Sequence, residues 1–315
     1  MYQIGVDIGG TNIKVGLVSD ELSLLRSLSV RFPHDGAASV VAAIVEAVDD
    51  LLKQEGITRK DLESIGIVVP GSIDQTGALV IDAYNLGFHD VPLKAMAQEA
   101  FGEVPIYLAN DANGAALAEL YVGAFRGCKT AVLFTLGTGL GGGIILGGHM
   151  FNGGMNQGVE LGHMILEHDG EHCTCGNDGC MEAYCAASAL ARDGKRAAKK
   201  HPDSLLAKRA AGDPDAIDAK LIIDLAKEGD ELAKALFDRY ISYLSSACAS
   251  IYNLLDPEVI AIGGGVCAAG EFLFAPLREQ TTEKCFYKTH GRLVPAELGN
   301  DAGMIGAAML HRDSQ

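Results

Sequence analysis

The chain has 315 residues, of which 48% are hydrophobic and 21% are charged, and its formal net charge at pH 7 is −16. This composition is typical of a globular protein with a sizeable core, and it excludes an intrinsically disordered chain. The acidic charge argues against nucleic acid, which requires a basic footprint, and against an anionic membrane surface. We therefore expect neither a nucleic acid nor a membrane among the partners.

The hydrophobic pattern alternates strands and helices along the chain, which predicts an α/β fold. In the first half it predicts strands at 3–8, 13–19 and 24–32, a helix at 37–55, a strand at 64–69, a helix at 93–101, a strand at 106–109, a helix at 112–121, and strands at 130–135 and 142–146. In the second half it predicts helices at 182–200, 216–228 and 231–255, a strand at 259–262, and helices at 270–284 and 302–310, the last capped by Asp301.

The N-terminus and the cysteines predict a cytoplasmic protein. Residues 1–7 have neither the basic segment nor the cleavage-site pattern of a signal peptide. The uncharged stretch 130–150 contains seven glycines, which are poor in a helix interior and so argue against a transmembrane helix. Eight cysteines without a signal peptide indicate a reducing compartment, where clustered cysteines bind metal more often than they form disulfides.

A glycine turn near the N-terminus joins two predicted strands in the segment Asp7-Ile-Gly9-Gly10-Thr11-Asn-Ile-Lys14. Glycines at such a turn expose backbone N–H groups to an anion, and Thr11 adds a hydroxyl. Lys14 offers a positive charge, and Asp7 could hold Mg²⁺ through water. The pattern fits a phosphate site, and it equally fits an ordinary hairpin with Lys14 on a solvated face.

A second, similar turn contains Thr138 and Gly139 and leads from one predicted strand into the next. The run 137–143 fits G-x-G-x-x-G, but the strand that follows it argues against a nicotinamide-binding fold, which needs a helix there. The sequence also lacks the G-x-x-x-x-G-K-[ST] pattern of a P-loop. The remaining interpretations are a second phosphate hairpin or a sterically required crossing of two backbones.

Two more turns lie between a predicted strand and a predicted helix. Asn110 and Asp111 stand at the first of them, where the helix N-terminus stabilises a charged carboxylate and so suits a general base. The alternative is that Asp111 is an N-cap. At the second turn a glycine run either lets a flat base approach the backbone or starts a helix; it comprises Gly263, Gly264 and Gly265.

The strongest local signal is a group of three cysteines and a histidine within eighteen residues: His163, Cys173, Cys175 and Cys180. This spacing predicts a structural, tetrahedral Zn²⁺ site with four protein ligands. His168 also fits as the fourth ligand, whereas His172 is adjacent to Cys173 and would have to fold back. Glu160 and Glu182 flank the site and are not needed as ligands. Because carboxylates accept hydrogen bonds in pairs, these two indicate a hydroxyl-rich ligand such as a polyol or sugar.

Taken together, these motifs resemble the ROK family (repressors, open reading frames, kinases), and the resemblance spans nearly the whole chain. The family implies a two-domain, actin-like (ribonuclease H-like) ATPase fold with a cleft between the domains. We expect a small α/β domain at 1–118 plus 300–315 and a large α/β domain with the zinc loop at 119–299. The matching motifs are Asp7 to Lys14, Val69-Pro-Gly71, Asn110-Asp111-Ala-Asn113, Gly137 to Gly143, Glu160-Leu-Gly-His163, Cys173 to Glu182, Gly263-Gly-Gly-Val266 and Asp301 to Ala308.

The resemblance also implies a role for each motif. Asp111 matches the catalytic base, and His163 matches a residue that both binds zinc and contacts the sugar. The sugar-binding positions are Gly71, Asn110, Asp111, Glu160, His163 and Glu182. ATP with Mg²⁺ is expected on Asp7, Gly9, Gly10, Thr11, Lys14, Thr138, Gly139, Gly263, Gly264 and Gly265.

The segment 85–88 and the chain as a whole are most similar to the glucokinase members of the family. The resemblance therefore implies ATP-dependent phosphorylation of glucose at its 6-hydroxyl by a homodimer. Kinases for mannose, fructose, N-acetylglucosamine or N-acetylmannosamine share the fold and are the nearest alternatives, and some relatives use polyphosphate as donor. Val159 stands where many relatives have a glycine, and the loop 153–158 differs in spacing, so the sugar preference is not carried over.

A second class of alternative is a sugar-sensing regulator. The repressors of the family need a basic N-terminal helix-turn-helix, whereas this acidic sequence opens with the first phosphate strand. A sensor without a DNA-binding domain remains the other alternative, and the retained Asp111 argues against it.

Overall fold

The computed structural model describes residues 1–155 and 158–313, so the predicted loop 153–158 lies partly outside the described residues. The predicted α/β class is confirmed. The chain divides into two compact units. The first comprises Met1–Lys129, Gly143–Val159 and Glu297–Gln315, and the second comprises Thr130–Gly142 and Glu160–Ala296.

Strands and helices alternate along the described residues. The strands are β1 (Tyr2–Ile8), β2 (Asn12–Ser19), β3 (Leu24–Arg31), β4 (Leu62–Val69), β5 (Ser72–Ile73), β6 (Val80–Ala83), β7 (Phe88–Val91), β8 (Ile106–Asn110), β9 (Ala131–Leu136), β10 (Leu140–Leu146), β11 (His149–Met150), β12 (Val259–Gly263) and β13 (Arg292–Pro295). The α-helices are α1 (Ala37–Glu55), α2 (Leu93–Phe101), α3 (Asp111–Val122), α4 (Glu182–Cys185), α5 (Ala187–Lys200), α6 (Leu205–Arg209), α7 (Ala219–Lys227), α8 (Glu231–Leu255), α9 (Glu271–Lys284) and α10 (Ala302–Asp313).

The first unit is built on a five-stranded sheet in the order β3-β2-β1-β4-β8. Strands β1, β2 and β3 pair antiparallel, whereas β1, β4 and β8 run parallel to one another. The central strand β4 is buried along nearly all its length, as expected for a parallel strand covered on both faces. The edge strand β3 alternates instead between half-buried and exposed residues. A small separate sheet in the order β5-β6-β7 follows β4 in the chain.

Helices cover both faces of this sheet. On one face α1 contributes an apolar stripe at helical spacing, including Val40, Ile44, Val48 and Leu51, to a core shared with β1, β4 and α2. The other face packs against α3 and α10 through a second buried cluster. Both faces of the central strands are therefore sealed from water, and the loops at their carboxyl ends carry the candidate site.

Helix α10 lies so close to the sheet and to α3 that only glycine fits at the contacts. A Cβ atom at Gly66 of β4 would lie 1.8 Å from the carbonyl oxygen of Ala307, and one at Gly306 would lie 1.7 Å from that of Gly114. Real Cβ atoms do not approach backbone so closely, so these glycines are required by packing rather than by turn geometry. The buried Glu119 then fixes the entry to α10, because its carboxylate accepts hydrogen bonds from the N–H groups of Glu297 and Leu298.

The second unit has a sheet whose parallel strands β9, β12 and β13 lie side by side. The complete strand order is β11-β10-β9-β12-β13, and the boundary with the first unit falls inside β10. Helix α8 packs against α7 and α9 and has the predicted bounds. The predicted helix at 182–200 is instead divided into α4 and α5, because Ala186 has an extended backbone with φ −68° and ψ 155°.

Two smaller expectations differ from the structure. Asp301 ends a 3₁₀ turn, Gly299–Asp301, that runs directly into α10, so α10 begins from that turn. The predicted helix at 216–228 begins later, at Ala219, because Asp218 is its N-cap. Within residues 1–155 and 158–313, no helix combines the length and the apolar character that crossing a bilayer requires.

We expect Gly306→Ala to lower the free energy of unfolding by at least about 3 kcal/mol, since the new methyl would overlap a backbone carbonyl that cannot move independently. Thermal unfolding of purified protein measures the effect. Gly154→Ala is the matched control, because a Cβ there meets no atom within 4 Å. Equal melting temperatures for Gly306→Ala and Gly154→Ala would contradict the packing argument.

Candidate active site

The N-terminal hairpin places Asp7 beside the start of α10. Asp7 pairs with Lys14 across β1 and β2, and a Cβ at Gly303 would lie 2.9 Å from the Asp7 carboxylate. Burial raises the pKa of Asp7, and the positive charge of Lys14 partly opposes this. The Lys14 ammonium donates to the carbonyl oxygen of Asn300 at 2.5 Å. A desolvated carboxylate next to a glycine turn fits a cation that accompanies a phosphate chain.

The hairpin turn itself is tight. The N–H of Gly9 donates to the carbonyl oxygen of Asn12 at 2.9 Å, which closes the turn. Gly10 is half-buried and Thr11 is exposed, and the backbone of Asn85 lies close to Gly10: a Cβ there would be 3.4 Å from the Asn85 carbonyl oxygen. Asn85 is therefore an additional neighbour of this turn in the first unit.

The junction between β8 and α3 brings three predicted sugar-binding residues together. Asn110 is the N-cap of α3, and its side-chain oxygen accepts hydrogen bonds from the N–H groups of Ala112 and Asn113. Its amide donates to the carbonyl oxygen of Gly71 at 3.1 Å. The capping role considered for Asp111 thus belongs to Asn110, and Asp111 is the first residue of the helix. A charge at that position is favoured by the helix dipole.

Gly71 can only be glycine in this arrangement. A Cβ at this position would lie 2.2 Å from the carbonyl oxygen of Asp82 in β6. The small sheet β5-β6-β7 therefore holds the Gly71 backbone where Asn110 can bond to it.

In the second unit the four predicted metal ligands converge. The ligand atoms of His163, Cys173, Cys175 and Cys180 all lie within 4.8 Å of one another. The Cys173 sulfur is 3.7 Å from Nδ1 of His163, and the sulfurs of Cys175 and Cys180 are 3.6 Å apart. These separations fit four ligands around one tetrahedral ion.

The other two histidines considered as ligands lie outside this cluster. The ring of His168 is 94% exposed and lies 3.3 Å from Asp169, and His172 pairs with Asp178 at 2.8 Å. Desolvation and the neighbouring thiols raise the pKa of Cys180 to about 12. A bound cation would reverse that effect, because metal ligation deprotonates a thiol.

Two carboxylates lie next to the cluster. Desolvation raises the pKa of Glu160, the nearby His163 opposes the rise, and the nearby Glu182 adds to it. The Glu182 carboxylate accepts a hydrogen bond from the N–H of Leu140 at 2.9 Å and one from the hydroxyl of Thr174 at 3.3 Å. The pair is thus a polar, partly desolvated acceptor site, which suits hydroxyl groups.

A cavity of about 480 Å³ lies in the second unit beside the predicted nucleotide residues Thr138 and Gly265. Gly264 has φ 103°, and a Cβ there would lie 2.0 Å from the carbonyl oxygen of Leu136, so a glycine is required where the two turns cross. Several residues that line this cavity were not predicted from the sequence, because they lie in or next to helices that are far along the chain from the glycine turns: Ala187, Ser188, Asp218, Lys220 and Lys227.

Comparison with known proteins places the chain in a family. Residues 3–314 match the model of the ROK family. The chain is 37% identical to a glucokinase from Thermotoga maritima, over 98% of this chain and 97% of that protein. The crystal structure of a ROK family glucokinase from Streptomyces griseus in complex with glucose and AMPPNP is similar, with 35% identity, a TM-score of 0.81 and coverage of 98% and 99%.

A ROK family transcriptional regulator, a homologue of the E. coli MLC protein, has a TM-score of 0.86 at 25% identity, and 78% of its length is covered. The chain belongs to the ROK family, and its fold is the actin-like ATPase fold of the ROK kinases. The resemblance and the fold class expected from the sequence are thereby confirmed.

Proposed function

We propose that this protein is an ATP-dependent glucokinase that phosphorylates glucose at its 6-hydroxyl. The observation that carries the proposal is the placement of Asp111 at the N-terminus of α3, next to Asn110 and Gly71, in a chain similar over its whole length to glucokinases. The proposed hexose ligands are Gly71, Asn110 and Asp111 in the first unit and Glu160, His163 and Glu182 in the second.

Asp111 acts as the general base. It takes the proton of the 6-hydroxyl as that oxygen forms a bond to the γ-phosphorus, and the bond from the γ-phosphorus to the bridging oxygen breaks. ADP leaves with the electron pair of that bond. Asp111 is the first residue of α3, where the helix dipole favours a negative charge.

The nucleotide is bound by backbone groups. N–H groups of Gly10 and Thr11 and of the Thr138 and Gly139 turn donate to phosphate oxygens, and the bond from Gly9 to Asn12 closes the first of these turns. Asp7 would hold Mg²⁺, which supplies positive charge to the phosphates when it is bound, and Lys14 lies across the strand pair from it. The adenosine part fits the cavity of about 480 Å³ next to the glycine turn of Gly263, Gly264 and Gly265.

His163 has two roles in this proposal. Its Nδ1 faces Cys173, so it would bind Zn²⁺ with Cys173, Cys175 and Cys180. The opposite ring nitrogen then carries its proton and can donate to a sugar hydroxyl. Zinc is structural here, because four protein ligands close its coordination sphere.

We also propose a homodimer, and a light-scattering mass equal to one 33.0 kDa chain would contradict that.

A coupled kinase assay with Mg·ATP tests the activity and the substrate together. The expected result is dominant turnover of glucose over mannose, fructose, N-acetylglucosamine and N-acetylmannosamine. Because buried polar ligands reject a mispaired sugar strongly, we expect a preference of roughly 10⁴-fold over the poorest of these substrates. Dominant turnover of another hexose would transfer the proposal to that sugar, and no turnover of any would refute a hexose kinase.

Asp111→Asn removes the base while preserving size, so we expect kcat to fall by at least about 10²-fold. The measurement is steady-state kinetics at saturating glucose and ATP. Asp50→Asn is the matched control, because Asp50 is an exposed carboxylate in α1, and its kcat should stay at the wild-type value. Near-normal turnover of Asp111→Asn would remove the base assignment.

Cys175→Ser deletes one proposed zinc ligand, and we expect bound zinc to fall well below one ion per chain and the melting temperature to drop. Metal analysis by mass spectrometry and thermal unfolding measure both. Cys285→Ser is the control, since Cys285 lies outside the cluster. Unchanged zinc content in Cys175→Ser would contradict the site.

A further inference from the structure

We propose that Glu182 couples hexose binding to the phosphate hairpin of residues 137–140, and that Thr174 is a positioning residue for its carboxylate. The inference rests on the proposed function, in which Glu182 binds the hexose and the hairpin binds ATP. All the contacts that support it lie within the second unit.

The first contact joins the carboxylate to the hairpin backbone. Oε2 of Glu182 accepts a hydrogen bond from the N–H of Leu140 at 2.9 Å. The carboxylate also lies over Gly139, where a Cβ would be 2.5 Å from Oε2. Because a side chain at that position would displace the carboxylate, the observed position of Glu182 requires glycine at position 139.

The second contact fixes the other oxygen. The hydroxyl of Thr174 donates to Oε1 of Glu182 at 3.3 Å, and the Cys173 sulfur lies 3.6 Å from the same oxygen. Thr174 stands between two of the clustered cysteines, so the proposed zinc loop holds it. The orientation of Glu182 is therefore set by the metal loop on one side and by the hairpin on the other.

A third set of contacts ties the hairpin to the segment that begins at Glu182. The N–H of Ala187 donates to the carbonyl oxygen of Gly137 at 3.0 Å, and the hydroxyl of Ser188 donates to that of Thr138 at 2.5 Å. The hairpin is thus bonded to Glu182 at the start of α4 and, at two more points, to the start of α5.

A carboxylate has about four acceptor positions, of which the N–H of Leu140 and the hydroxyl of Thr174 use two. The Cys173 thiol uses a third only while it is protonated, and zinc ligation would remove that proton. The remaining two can accept hydroxyl groups of a hexose. A bound hexose then holds the carboxylate in the orientation that accepts the hydrogen bond from Leu140, and so it orders the hairpin. ATP binding therefore loses less conformational entropy, because the hairpin that it contacts is already ordered. By thermodynamic linkage, ATP must strengthen hexose binding by the same factor.

Glucose titration calorimetry on the full-length protein without nucleotide tests the first part. We expect Gly139→Ala to weaken glucose binding about tenfold, as expected for one displaced charge-assisted hydrogen bond, although Gly139 belongs to the ATP hairpin. Gly137→Ala is the matched change in the same hairpin, because a Cβ there meets no atom within 4 Å. Its glucose dissociation constant should stay within about twofold of wild type. Equal losses in both variants, or none in either, would overturn the inference.

The coupling itself is the ratio of glucose dissociation constants without and with AMPPNP, a non-transferring ATP analogue. We expect a ratio of at least about 5 in wild type and in Thr174→Ser, which keeps the hydroxyl, and a ratio near 1 in Thr174→Val. Zinc analysis of each variant verifies that the metal loop is intact. A ratio near 1 in wild type, or an unchanged ratio in Thr174→Val with zinc retained, would overturn the coupling while glucose phosphorylation stands. A wild-type protein that neither binds nor phosphorylates glucose would instead refute the proposed function.

Discussion

The packing of α10 against the sheet is the constraint on which the first unit depends. Backbone touches backbone at Gly66 and Gly306, so the sheet, α3 and α10 have a single spacing that side chains cannot adjust. The two candidate chemical groups of this unit lie near the ends of those elements: Asp7 is the next-to-last residue of β1, beside the start of α10, and Asp111 starts α3. Their positions are thus determined by the most rigid contact in the unit rather than by their own loops.

In the second unit, side chains rather than backbone packing hold the candidate residues in position. Its candidate residues lie on irregular backbone between 160 and 182, where regular hydrogen bonding is sparse. The four clustered ligands of this segment could hold a metal, and the proposed zinc would fix a loop that has little regular secondary structure. Glu182 starts a helix next to that cluster, and its carboxylate accepts a hydrogen bond from Leu140 in the glycine turn.

Much of the fold was predictable from periodicity, and the failures have physical reasons. The long helix α8 was predicted with its exact bounds because its apolar stripe is continuous and its cap, Asp230, is explicit. The short strands β5, β6 and β7 were missed because two to four residues are too few to display alternation. The break at Ala186 was missed because alanine favours the helix interior, and the bonds that accompany the break are tertiary, from Ala187 to Gly137 and from Tyr240 to Cys185.

The candidate site likewise contains residues that were predictable from the sequence and residues that were not. Motifs that carry their own chemistry, such as the cysteine spacing and the Asn110 and Asp111 pair, were visible in the sequence. The partners that orient those groups were not, because Thr174 and Leu140 are unremarkable residues until the fold brings them to Glu182. A sequence therefore reveals which groups can react or bind more readily than it reveals how firmly they are held. Since catalysis depends on holding a geometry as much as on possessing a functional group, the contacts that orient Glu182 matter as much as its carboxylate.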